Sequence, residues 1–280
     1  MELFQATHRE GVGENSRTSI NRQPLFLDFK AISILEELSL HQKHISVLRL
    51  GQCKEDLKHL HKIHLCFDVK ENENPTSPLE IFEMPPHIQD MTIECCHRPD
   101  VFLPPNTKFS EHELLEHLKM WNMSNVSKLE LIGLGDSSWL STVCGKLQEL
   151  NVRQCSDLTT LFRSTSAASF SNLKEMAITE CRGLEYLFTL STTKKFIHLE
   201  KITVKECSSL RTVLAKEEDE APQGAEFKRL RWIDLNSLSS LDCFYPGNNT
   251  LQLPLLFQVE IGQCPKMEVF SRGEINAKSF

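Results

Sequence analysis

The chain has no apolar run approaching the 18 or more residues that a membrane-crossing helix needs. Its opening stretch, MELFQATHREGVGENSRTSINRQ, is polar and mixed in charge and lacks the apolar core of an export signal. A cytoplasmic location is therefore expected. Excess positive charge is missing too. Lys and Arg total 31 against 38 Asp and Glu, a formal charge of -7, so no surplus field is available for gripping a phosphate backbone, and nucleic acid is not an expected partner. Only 11 glycines, with 40% apolar and 25% charged residues, exclude a collagen-like or broadly disordered chain. What remains is a globular chain whose 280 residues can bury a core without metal or disulfide staples.

Cysteine is not scarce, at ten residues, but disulfide arithmetic belongs to short secreted chains, so reduced thiols are expected. The glycosylation-type triplets Asn122-Met123-Ser124, Asn125-Val126-Ser127 and Asn248-Asn249-Thr250 are inert in the cytosol.

What the chain does have is an internal repeat. Leu147-Gln-Glu-Leu150-Asn-Val152-Arg-Gln-Cys155, Leu173-Lys-Glu-Met176-Ala-Ile178-Thr-Glu-Cys181 and Leu199-Glu-Lys-Ile202-Thr-Val204-Lys-Glu-Cys207 share one pattern, apolar-x-x-apolar-x-apolar-x-x-Cys, with cysteines 26 residues apart. It returns at Leu230–Leu238 and Leu256–Cys264; the 31 residues from Cys207 to Leu238 exceed the period where Lys216–Gly224, charged and holding Pro and Gly, suits an exposed loop. Upstream the rhythm is less regular, at Ile45–Cys53, Leu60–Leu65, Ile88–Cys96 and Val126–Leu134, with Leu35–Leu40 a further candidate. Residues 67 to 87 and 97 to 123 fit no clean repeat.

In such a motif a short strand points alternate side chains opposite ways. Leu150 and Val152 face inward; a single repeat cannot bury that face alone, so stacked neighbours must cover it. The expectation is a solenoid with a parallel sheet on a concave face and an irregular or short-helical convex side, classed α/β, over residues 31–275 (irregular to about 140). A polar segment at 1–30 and a tail at 276–280 flank it. Cys53, Cys96, Cys155, Cys181, Cys207 and Cys264 hold the ninth position, where a small residue can pack and its weak S–H can serve a turn carbonyl. Leu158, Leu161 and Phe162, then Leu184, Leu187 and Phe188, then Leu210, Val213 and Leu214 form a second apolar string, continued by Leu241, Phe244, Met267 and Phe270. It should line the far side of the core. Phe170, Phe196 and Phe227 should close the coils.

The stretch Cys181-Arg-Gly-Leu-Glu-Tyr-Leu-Phe188, with Leu199–Cys207, the acidic Ala215–Glu220 and Cys264-Pro-Lys-Met-Glu-Val-Phe-Ser-Arg-Gly273, resembles the leucine-rich-repeat region of plant intracellular nucleotide-binding disease-resistance proteins of the coiled-coil class. The resemblance is good over about 147–273 and looser over about 31–140. It implies a noncatalytic protein-recognition module in plant defence, a sensor or autoinhibitory part. The implied partners are a pathogen effector, a host guarded protein or a nucleotide-binding receptor domain. A phosphate-binding loop is not expected here: Gly145-Lys146 is followed by Leu147 where Ser or Thr should hold Mg²⁺, and Ser16 replaces the last glycine of the triplet begun by Gly11-Val-Gly13. The chain thus reads as a detached portion of a receptor, a truncated product or a repeat-only relative. The alternative is a leucine-rich-repeat substrate adaptor of a ubiquitin ligase, although residues 1 to 30 supply no convincing adaptor-binding helix.

Enzymatic readings find little footing. His59, His61, His64 and Cys66 are a legitimate zinc set by type, but His64 and Cys66 point outward beside Ile63 and Leu65, and no second ligand pair at finger spacing accompanies them. Cys95-Cys96 has no base placed beside it, and Glu217–Glu220 reads as a solvated loop. No enzyme, cofactor or metal is expected. Recognition falls to the outward positions Glu149, Asn151, Arg153, Gln154, Glu175, Thr179, Glu180, Lys201, Thr203, Lys205, Glu206, Trp232, Asp234, Asn236, Gln258 and Glu260, with Trp232 the natural anchor because large aromatics dominate interface energetics.

Overall fold

The computed structural model describes residues 34–41, 57–66, 88–94, 120–124, 144–156, 158–162, 169–216 and 224–277. Strands β1 (Glu37–His41), β2 (Lys62–Cys66), β3 (Asp90–Glu94), β4 (Met120–Ser124), β5 (Glu149–Arg153), β6 (Glu175–Thr179), β7 (Tyr186–Thr189), β8 (Lys201–Lys205) and β9 (Thr212–Ala215) are followed by β10 (Ala225–Glu226), β11 (Trp232–Asn236), β12 (Leu251–Gln252), β13 (Gln258–Gly262) and β14 (Ile275–Asn276). A four-residue helix, α1 (Leu190–Thr193), follows β7. The main sheet has nine parallel strands in the order β1-β2-β3-β4-β5-β6-β8-β11-β13, so the chain returns to it once per coil. This is the stacked-coil leucine-rich-repeat solenoid that the period implies.

Alternation along each strand divides core from surface. Leu150, Val152, Met176, Ile178, Ile202, Val204, Ile233 and Leu235 are each 1% exposed or less, while the residues between them are half-buried or exposed. Each such aliphatic side chain contributes roughly 1.5–3 kcal/mol on full burial. Register carries the pattern across the sheet: Leu150 sits beside Met176 and Val152 beside Ile178, and Ile202 and Val204 continue both rows.

A left-handed corner follows each strand of the regular coils. Gln154, Glu180, Glu206, Ser237 and Gln263 all have φ between 52° and 58°. None is glycine, so each carries backbone strain on the order of 1 kcal/mol. The inter-coil ladder runs straight through the bend: Gln154 N–H donates to Thr179 O at 2.9 Å, Glu180 to Lys205 at 2.9 Å, Glu206 to Asn236 at 3.1 Å and Ser237 to Gly262 at 2.9 Å. Immediately after it, Cys155, Cys181, Cys207 and Cys264 donate their thiol hydrogens to the carbonyls of Arg153, Thr179, Lys205 and Gly262 at 3.3–3.5 Å. That is the service expected of the ninth position. Leu238 fills the slot in its coil by packing alone, fully buried. Beyond the corner the coils approach closely. A Cβ on Gly183 would lie 2.3 Å from the carbonyl oxygen of Ser156, so only glycine fits there.

The far side is built from short strands and turns. β7 pairs with β9, and β10, β12 and β14 form a second small sheet, all parallel. Between these and the main sheet runs a column of rings: Phe162 stacks on Phe188 at 5.7 Å, Phe188 meets Phe227 edge-on at 5.4 Å, Phe227 meets Phe244 at 6.5 Å, and Phe244 stacks on Phe270 at 4.7 Å. Phe170 and Phe196 stack at 5.2 Å beside it. Each pair adds about 0.5–1.5 kcal/mol to plain burial. The last coil is less enclosed. Ile261 is 47% and Ile275 41% exposed, although their ladder partners Leu235 and Leu251 are fully buried.

One expectation needs adjustment. Residues 97 to 123 were read as lying outside any repeat, yet β4 occupies 120–124 and pairs with both β3 and β5. The candidates at Ile45–Cys53 and Val126–Leu134, together with Cys53, Cys95, Cys96, residues 67 to 87, the opening 1–33, the loop 217–223 and residues 278–280, lie outside the described residues. The Leu35–Leu40 candidate coincides with β1.

Candidate protein-binding face

The outer positions of β5, β6, β8, β11 and β13 form three rows across the sheet. The first is Glu149, Glu175, Lys201, Trp232 and Gln258; the second Asn151, Ala177, Thr203, Asp234 and Glu260; the third Arg153, Thr179, Lys205, Asn236 and Gly262. A fourth row is the left-handed corner, Gln154, Glu180, Glu206, Ser237 and Gln263. Parallel pairing brings every proposed site residue onto this one surface, and each is half-buried or exposed.

Most charges on the face have partners one coil away. Lys201 Nζ lies 3.5 Å from a Glu175 carboxylate oxygen and 5.2 Å from the centroid of the Trp232 ring, a cation–π geometry. Lys205 and Asp234 are 2.7 Å apart, and this hydrogen-bonded contact holds the Lys205 ammonium above the ordinary lysine range. Glu180 accepts from Gln154 Nε2 at 2.9 Å and from Arg153 Nε at 3.0 Å; those bonds, in that order, hold its carboxyl below the ordinary glutamate range. Ser237 Oγ donates to Gln263 Oε1 at 2.8 Å. Exposed pairs of this kind stabilise the fold little. Their effect is to hold side chains in fixed positions on the sheet, as a recognition surface requires.

Trp232 is 37% exposed. Lys201 lies over one ring face while part of the side chain stays open to solvent, so packing along the sheet and availability to a partner are combined in one side chain. The alternation reading missed the row just before the strands, where Arg231 and Phe257 stand exposed. An unpaired aromatic among otherwise polar residues at that slot was the available signal.

At the other end of the sheet, Ile63 and Leu65 are fully buried and His64 and Cys66 face outward as expected. Ser39 Oγ and His64 Nδ1 are 3.4 Å apart, and His61 Nδ1 lies 3.1 Å from the His59 carbonyl oxygen. Among the described residues no group of three or more His, Cys, Asp or Glu side chains converges as a metal site. Leu147, in the slot where a phosphate-binding loop would carry Ser or Thr, is a fully buried core residue.

Residues 165–272 match the family model for plant disease resistance protein RPS2-like leucine-rich repeats. This stretch is similar to the leucine-rich repeats of plant disease-resistance proteins. It spans the coils from Phe170 to Phe270, including most of the face just described. Leucine-rich repeats of this kind are protein-interaction modules, and among the described residues no helix is long and apolar enough to cross a membrane. Comparison with curated proteins and with solved structures finds no match.

Proposed function

We propose that this chain is a noncatalytic recognition module in plant defence, acting as the sensor or autoinhibitory leucine-rich-repeat part of an intracellular immune receptor. Its outer sheet face would engage a pathogen effector, a host guarded protein or a nucleotide-binding receptor domain. The observation that carries this reading is the face itself, a rigid parallel ladder displaying mixed charge around one exposed tryptophan, in repeats of the disease-resistance type. The mechanism is differential binding: the face prefers one state of its partner, and a competing ligand shifts the balance.

The test is affinity capture from plant extract with the wild-type chain and with a variant carrying Arg153→Ala, Lys205→Ala and Trp232→Ala. The three side chains project outward, so the variant should keep its circular dichroism spectrum while losing the partner. A partner retained by the variant would move recognition to the loops. Capture of a nucleotide-binding receptor domain supports the receptor reading; capture of cullin-ligase components supports a ubiquitin-ligase adaptor instead.

A further inference from the structure

Exposed apolar side chains of the last coils are of two kinds. Ile261 and Ile275 occupy inward slots, in register with the buried Leu235 and Leu251. Phe257 and Leu255 do not. Phe257 sits in the outward slot before β13, where Arg231 stands one coil earlier: Phe257 N–H and Gln258 N–H both donate to the Arg231 carbonyl, at 2.8 and 2.9 Å. In the turn before it, Leu255 occupies the place of Arg229. Phe257 is 80%, Leu255 43% and Trp232 37% exposed. Three large apolar groups thus share one lip of the sheet, where the strands β11 and β13 begin, and no core requirement placed them there.

Four cationic groups, Arg229, Arg231, Lys228 and Lys201, gather at this lip, with Glu175, Glu200 and Glu226 among them. Arg229 and Arg231 are exposed, and neither makes an ion pair with any described residue. Lys201 lies over the Trp232 ring, and Lys228 stands at the turn beside Arg229 with Glu226 at 3.9 Å. Glu200, in the preceding coil beside Arg231, offers its backbone carbonyl to Arg231 and Trp232 and forms no ion pair among the described residues. In a chain of net charge -7, two guanidiniums that no described acid pairs, beside an exposed phenylalanine and tryptophan, are a local cationic site.

From this juxtaposition we infer that the lip formed by Trp232, Phe257, Leu255, Arg229 and Arg231 docks an acidic segment of a partner protein that presents an aromatic or large aliphatic side chain between carboxylates. The apolar side chain would enter the patch between Trp232 and Phe257. The flanking carboxylates would take the forks of Arg229 and Arg231, which suit bidentate recognition. The inference rests on the recognition reading above and specifies the partner's chemistry at one end of that face.

The probe is a displayed library of short peptides with a central Trp, Phe or Leu flanked by acidic, neutral or basic residues, selected on the full chain and then measured by fluorescence anisotropy. Acidic-flanked peptides should be enriched, should weaken as salt is raised, and should lose about tenfold or more in affinity in the Arg229→Glu, Arg231→Glu variant and in Phe257→Ser. Both variants change exposed side chains, and an unchanged urea midpoint verifies that they fold. Enrichment of neutral or basic flanks, no enrichment, or indifference to these substitutions would overturn the proposal. So would self-association of the chain that Phe257→Ser abolishes in sedimentation, since the occupant would then be a second copy. If the peptides fail while the Arg153, Lys205 and Trp232 variant still loses its captured partner, the recognition reading stands and only the lip assignment falls.

Discussion

The thiol of Cys181 lies 3.9 Å from the carbonyl oxygen of Val152 in the preceding coil, and 3.5 Å from that of Thr179 in its own. One small side chain thus bridges two coils at the corner where the strand ends, with a donor too weak to demand a better partner. Cys264 repeats the relation with Leu235 at 3.8 Å. The repeated cysteine is an element of the stack.

Thiol accessibility follows directly. Cys155, Cys181 and Cys207 are fully buried, whereas Cys66 and Cys264 are half-buried. Timed alkylation with peptide mass spectrometry should label Cys66 and Cys264 first and the three corner thiols only when denaturant opens the coils. Rapid native labelling of Cys155, Cys181 and Cys207 would be incompatible with the coil register.

Alkaline pH should weaken the fold through Cys144. Burial pushes this thiol up from 9.0 to about 12. Because the folded value is the raised one, the stabilisation is complete below pH 9 and is lost as pH rises from 9 toward about 12, where the unfolded chain has released a proton that the folded chain keeps. The loss from this group is about 1.4 kcal/mol per pH unit in that window. Urea midpoints taken from neutrality to about pH 10.5 should fall less steeply for Cys144→Ala than for the wild type. Parallel slopes would mean that the thiol ionises in place.

Core truncation should be costly in the centre of the stack. Ile178 is fully buried between Val152 and Val204 in the sheet ladder. Ile178→Ala should cost about 2–5 kcal/mol, read from urea denaturation. An unchanged midpoint would show that the side chain faces outward and that the alternation is inverted.

The coils from Leu147 to Cys264 were legible because burial acts on the sequence at a fixed period: Leu150, Met176, Ile202, Ile233 and Val259 recur where the sheet needs them. β4 escaped because Val126 stands where the motif carries its cysteine and because Trp121 and Met123, in the register places opposite Leu150 and Val152, replace the usual branched aliphatics, although Leu118 holds the leading position. The far-side strands escaped for another reason. Segments of two to four residues such as β10, β12 and β14 are too short to show a period, and stacking on the neighbouring coil creates them. The left-handed corner was hidden because Gln, Glu and Ser occupy it where glycine would have announced it. At the face, alternation found Trp232 and the charge rows but stopped at the strand ends, leaving out Phe257 and Arg231.

Those five bent corners have a kinetic corollary. A lone coil would bear the penalty of its left-handed residue with no adjacent carbonyl to receive the amide at the bend, whereas a coil added to an existing one finds that acceptor already in place. Order should therefore spread along this region as an advancing front from whichever pair of coils forms first, and amide exchange should be slowest in the middle of the stack and fastest at the Ile275 end.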